Sequence, residues 1–81
     1  MENNWTLKNN KLIREFIFSD FKEALKFVNF IGEIAEKENH HPDIFLSFGK
    51  VKIELFTHDT NSITDKDVNL SREIDKIYKR R

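Results

Sequence analysis

Cysteine is absent from the 81 residues, so no disulfide staple and no Cys-ligated zinc site is available. Proline occurs once and glycine twice, which argues against a disordered or low-complexity chain. Charge of one sign is missing too: 14 Lys and Arg against 14 Asp and Glu leave a formal net charge of zero. A dedicated nucleic-acid domain usually carries a basic excess, so direct nucleic-acid binding is not expected. Uninterrupted apolar runs stop at three residues, as in Phe16-Ile17-Phe18 and Ile44-Phe45-Leu46. A membrane span needs roughly 20, so no membrane association is expected. The opening Met1-Glu2-Asn3-Asn4-Trp5 lacks the positive and apolar regions of a signal peptide. With the missing cysteine, this points to a cytoplasmic protein.

What is present is phenylalanine, eight of them, and three histidines. The length allows one domain, residues 1–81. A chain this short buries only about 60–65% of its unfolded surface. Its own core is modest, so self-association is an expected supplement.

Near-period-two alternation places a short strand at Trp5–Lys8 and a longer one at Lys11–Phe18, with Leu12, Arg14, Phe16 and Phe18 on one side. Asn9-Asn10 between them suits a turn, because Asn tolerates the left-handed region. Ser19 and Asp20 are helix-start residues. Behind them Phe21, Ala24, Leu25, Val28, Ile31, Ile34 and Ala35 recur at helical spacing. Phe27 and Phe30 widen that stripe; either they finish a small core or they meet a second subunit. The helix is expected to fade over Glu38–His41, because Pro42 disfavours a helical residue before it.

Two further strands follow, one through Ile44, Leu46 and Phe48, the other through Val51, Ile53, Leu55 and Thr57, ending at His58. Gly49-Lys50 suits the turn between them, with Gly first. Asp59–Ile63 reads as a loop, and Thr64-x-x-Asp67 as a helix N-terminus. The last helix turns Val68, Ile74, Ile77 and Tyr78 inward, and its terminal cations suit its own dipole. The order β-β-α-β-β-α predicts an α+β fold: a two-layer sandwich, a four-stranded antiparallel sheet with both helices on one face.

The chemistry-bearing residues gather in register. An antiparallel hairpin sets the start of its first strand beside the end of its second, so His40 and His41 fall near His58. Glu36 lies four residues before His40 and can share its helix face. Imidazole gives and takes protons near neutral pH. Elimination of water needs one proton delivered and another removed, which suits a pair such as His40 and His58. From the residues alone, a structural role ranks first, acid–base work second and a zinc site third. Adjacent histidines point apart in an extended chain and suit one metal poorly.

The pattern resembles the pterin-4a-carbinolamine dehydratase family. Glu36-Lys37-Glu38-Asn39-His40-His41-Pro42, then Phe48, Val51, Thr57-His58, Thr64 and Asp67 follow that family's motif. Trp5, Ser19-Asp20-Phe21, Asn69-Leu70 and Ile74 extend the match over nearly the whole chain. Departures are Ile44 where an aromatic is common, Phe48 where Tyr is common, Ser62-Ile63-Thr64 without the usual Gly, and Ser71 where Ala is common.

The resemblance implies dehydration of 4a-hydroxytetrahydrobiopterin to quinonoid dihydropterin, without metal or organic cofactor. It implies catalytic roles for His40, His41, His58 and Asp67. It places Glu36, Pro42, Phe48, Thr57 and Asp59 at the substrate. It also implies the two-layer sandwich and a homodimer or homotetramer. The alternative it leaves is a non-enzymatic dimerisation or transcriptional cofactor module on the same fold.

Overall fold

In the computed structural model, which describes residues 4–80, the elements follow the expected order: β1 Thr6–Lys8, β2 Lys11–Ile17, α1 Phe21–Glu38, β3 Asp43–Ser47, β4 Lys50–Leu55 and α2 Asp65–Arg80. The four strands pair antiparallel in the spatial order β1-β2-β4-β3. Asn9 and Asn10 turn the first hairpin at φ 53° and 63°, a left-handed pair that Asn adopts at low cost.

Register sorts the side chains. Leu12 faces Leu55 and Phe16 faces Val51 across β2 and β4, while Ile44 and Leu46 of β3 face Ile53 and Val51. This face packs against the helices, where Ala24, Phe27, Ile31 and Ala35 of α1 and Leu70 and Ile74 of α2 are buried. An aromatic cluster fills the centre. Phe27 lies with its ring 4.9 Å from Phe16 and 5.0 Å from Phe18, and Tyr78 covers all three. The opposite face carries Glu15, Lys50, Lys52 and Glu54 with exposed Ile17 and Phe45. Among the described residues, no helix is long and apolar enough to cross a membrane.

Four local expectations need correction. Phe27 is a core residue, 3% exposed, so only Phe30 of that pair faces outward; Phe21 and Leu25, which recur in the apolar stripe, are exposed. The inward stripe of α1 runs through 24, 27, 31 and 35. The second hairpin turns on Phe48-Gly49, since Ser47 pairs with Lys50. Gly49 has no positive φ. It is needed for space: a Cβ there would sit 2.9 Å from the Phe18 carbonyl oxygen, and Phe18 N–H donates to Gly49 O at 2.9 Å.

The third correction concerns the end of α1. It falls at Glu38, inside the expected Glu38–His41, but the residue that turns the chain there is Asn39, ahead of Pro42. Asn39, at φ 52° and ψ 43°, turns the chain left-handed. The N–H groups of Asn39 and His40 return to Glu36 O and Ala35 O, the paired bonds of a Schellman cap. Fourth, β4 stops at Leu55, and Thr57 instead forms an isolated bridge with Ser62 that leaves His58 in the intervening turn.

Candidate active site

The Schellman turn aims His40 inward, and the start of α2 meets it. Asp67 is fully buried. Its Oδ1 lies 2.5 Å from His40 Nε2. Its Oδ2 accepts the Thr57 hydroxyl at 2.8 Å and the Thr64 N–H at 3.0 Å. A buried carboxylate is stable only when its oxygens are matched by donors, and here both are. Its place in the first turn of α2 adds the favourable end of the helix dipole. One carboxylate thus ties together the end of α1, the end of the β4 segment and the start of α2.

His40 itself is 8% exposed. Its Nε2 is taken by Asp67, and among the described residues no other hydrogen bond reaches its ring. Among the described residues, no buried side-chain nitrogen or oxygen lacks a partner. His40 Nδ1 has none, so it is the ring atom that opens to solvent. An imidazole held at one nitrogen by a carboxylate and open at the other can take or give a proton there.

His58 follows Thr57 directly, so it lies at the same end of the sheet as His40. It is exposed, and its ring rests 4.3 Å from that of Phe56. His41 is also exposed. Its Nε2 lies 2.5 Å from Glu36 Oε2. Glu36 therefore partners His41 and not His40, because the left-handed turn at Asn39 breaks the helical spacing on which the pairing with His40 depends. Pro42 is half-buried between His41 and the start of β3, and Asp59 is exposed in the turn after His58.

Two residues expected at the substrate stand differently toward the Asp67–His40 pair. Phe48 is at the hairpin tip, 69% exposed. The five-residue strand β3 separates it from the histidine end, a distance of roughly 16 Å at about 3.3 Å per residue. Thr57 is at the right end, but its hydroxyl is engaged within the protein, on Asp67 and, at 2.6 Å, on Thr64 Oγ1. Thr64 is a member of the cluster that its helix-start signature marks only as a cap. Among the described residues, no group of three or more His, Asp or Glu side chains is placed to hold a metal ion.

Two further features lie outside this cluster. A groove of about 490 Å³ opens between α1 and α2, lined by Phe18, Phe27, Phe30, Ile34 and Ile77 with Glu23, Lys26, Glu33 and Arg80. Asp75 of α2 accepts Trp5 Nε1–H at 2.9 Å and the Arg14 guanidinium at 2.7 Å, which locks the N-terminal segment and β2 to α2.

The fold is thus a two-layer α+β sandwich that carries a carboxylate-backed imidazole, His40 on Asp67, at one sheet end. The family model described as pterin 4 alpha carbinolamine dehydratase matches residues 1–77, and the chain belongs to that family. A protein of Sulfurisphaera tokodaii, provisionally named pterin-4-alpha-carbinolamine dehydratase, is 47% identical over 73 residues, covering 90% of this chain and 78% of the relative. The crystal structure of a Brucella melitensis protein described as a transcriptional coactivator/pterin dehydratase superposes with a TM-score of 0.90 at 31% identity, covering 94% of this chain and 83% of that one. A pterin dehydratase-like protein identified as a RuBisCO assembly factor in the alpha-carboxysome shares the fold, with a TM-score of 0.75 at 17% identity over 91% of this chain and 86% of its own.

Proposed function

We propose that this chain, as one domain over residues 1–81, is a 4a-hydroxytetrahydrobiopterin dehydratase. It eliminates water from pterin-4a-carbinolamine to give quinonoid dihydropterin, and so serves tetrahydrobiopterin recycling. The observation that carries the reading is the buried Asp67–His40 pair in a chain of this family. In the substrate a hydroxyl sits on C4a beside N5–H. A proton delivered to the hydroxyl lets it leave as water. Removal of the N5 proton supplies the electron pair that closes the C4a–N5 double bond. Two imidazoles divide these tasks, His40 through Nδ1 and His58 from the neighbouring turn. His41, steadied by Glu36, positions the pterin ring, and Pro42 fixes the path between His41 and β3. No cofactor is required, because proton transfers and the loss of water complete the reaction without oxidation or reduction. The test is the dehydration rate with purified protein and synthetic 4a-hydroxytetrahydropterin. Acceleration over the uncatalysed reaction that His40→Ala and His58→Ala each abolish supports the reading. A rate equal to buffer defeats it.

The working form in this reading is a cytoplasmic homodimer or homotetramer, with no direct contact to nucleic acid or membrane. Exposed Phe21, Leu25 and Phe30 on α1 would otherwise leave apolar surface in water. The groove beside them carries both charge signs, Glu23 and Glu33 with Lys26 and Arg80, which suits a second copy of the same surface. Sedimentation equilibrium returning a single-chain mass at all concentrations would remove this part. A second reading, a non-enzymatic interaction module, draws on exposed Phe45 and Phe48 at the sheet edge and hairpin tip. It predicts a folded protein with no dehydratase activity.

A further inference from the structure

We propose that Thr64 is a positioning residue: its hydroxyl starts a one-way hydrogen-bond relay, Thr64 to Thr57 to Asp67, that holds His40 with its proton on Nε2 and its reactive lone pair on Nδ1. The direction follows from counting protons. Asp67, as a carboxylate, only accepts. The Thr57 hydroxyl has a single proton, and that proton goes to Asp67 Oδ2 at 2.8 Å. In its 2.6 Å contact with Thr64 the Thr57 oxygen must then accept, so Thr64 Oγ1–H donates. Oδ2 is filled by Thr57 O–H and Thr64 N–H. Oδ1 is left for one further donor, His40 Nε2–H at 2.5 Å.

Thr64 stands at the usual capping position of α2, where a Thr hydroxyl ordinarily accepts an N–H of the first turn. Here its hydroxyl is bonded to Thr57 instead, and the helix start is capped in the other direction, by the Asp67 carboxylate on Thr64 N–H. The hydroxyl is thus committed to the site and not to the helix end. Without it the Thr57 hydroxyl is free to rotate away, Asp67 loses a fixed donor, and its grip on His40 loosens. The catalytic part of this inference rests on the dehydratase reading; the proton position does not.

Histidine-selective ¹⁵N NMR on the ligand-free protein at alkaline pH reads the proton position directly, with the signals assigned through His41→Ala and His58→Ala. His40 is expected to carry its proton on Nε2, and that proton is expected to exchange roughly tenfold faster in Thr64→Val but not in Thr64→Ser. In turnover, Thr64→Val is expected to lose roughly tenfold in kcat at unchanged KM, with Thr64→Ser restoring it. A His40 proton on Nδ1 in the wild-type protein overturns the proposal, whether or not Thr64→Val folds. So do wild-type exchange and kcat in Thr64→Val, or a Thr64→Ser as impaired as Thr64→Val. If no variant and not the wild type dehydrates the pterin while the exchange pattern holds, the dehydratase reading fails and the relay stands.

Discussion

His40 Nε2 and Asp67 Oδ1 meet at 2.5 Å across 27 residues of sequence. The pairing joins the C-terminal cap of the first helix to the first turn of the second. Asp67→Asn keeps the shape but replaces an acceptor pair by an amide that must set N–H donors against Thr57 or His40. Loss of a properly held acid or base costs about 10²–10⁴ in rate, and kcat of Asp67→Asn is expected to fall within that range. Asp67→Ala adds a stability loss, because three donors, two of them buried, lose their acceptor, at about 1–3 kcal/mol for each left unpaired in the interior. Denaturant midpoints of the two variants separate these effects: Asn lowers activity more than stability, Ala lowers both.

Glycine gives a paired test of packing. Gly49→Ala drives a methyl to within 2.9 Å of a backbone oxygen, that of Phe18. Backbone cannot step aside as a side chain does, so a loss of about 1–3 kcal/mol is expected. Gly32, inside α1, has nothing within 4 Å of its would-be Cβ. Gly32→Ala is expected to stabilise by about 0.5–1 kcal/mol through helix propensity. Thermal unfolding that moves both variants in the same direction would contradict the account.

Much of this was legible in sequence because it is local. The alternation of Leu12, Phe16, Val51, Ile53 and Leu55 reports which face is buried, and the left-handed tolerance of Asn9 and Asn10 reports a hairpin. The helix stripe reports α1, but Phe27 and Leu25 compete for the inward side, and only the sheet and Tyr78 decide in favour of Phe27. Local sequence suits Gly49 to the first turn position, whereas it takes the second, because what requires it, the Phe18 carbonyl, lies thirty-one residues back in the chain. In the site, His-His-Pro and Thr-His mark the right segments. The pairings do not show in spacing, because Asn39 leaves the helical period between Glu36 and His40. A Thr at a helix start reads as a cap, and its hydroxyl's use on Thr57 is a tertiary fact.

Asp75 bridges the N-terminal segment and the sheet to α2. It accepts Trp5 Nε1–H at 2.9 Å and Arg14 at 2.7 Å, and the Arg14 guanidinium also lies over the Phe16 ring at 4.4 Å. Asp75→Ala strands an indole N–H and a largely buried guanidinium. Each such loss costs about 1–3 kcal/mol. Asp75→Ala is therefore expected to lower stability by a few kcal/mol in denaturant unfolding, while Lys76→Ala one position on, with an exposed pair to Glu73, changes it by less than about 0.5 kcal/mol.

Glu54 supplies the acid dependence. Burial alone would raise its carboxyl, but hydrogen bonds and charge from Lys11 and Lys52 outweigh that and hold it below its ordinary value of 4.5. The two lysines stand 3.2 and 3.3 Å away. A carboxylate depressed in the folded state binds protons more readily when unfolded. Its stabilisation is therefore fully present above the ordinary value and is lost as pH falls through the folded one. Glu54→Gln removes the charge while keeping the shape. At neutral pH it is expected to be about 0.5–1 kcal/mol less stable than the parent, the range for partly exposed ion pairs. The gap should hold down to about pH 5, close on further acidification, and shrink in high salt. Urea unfolding of both proteins from neutral to acid pH checks this, and a gap that stays constant below the ordinary glutamate value would show that the lysines do not stabilise the charged form.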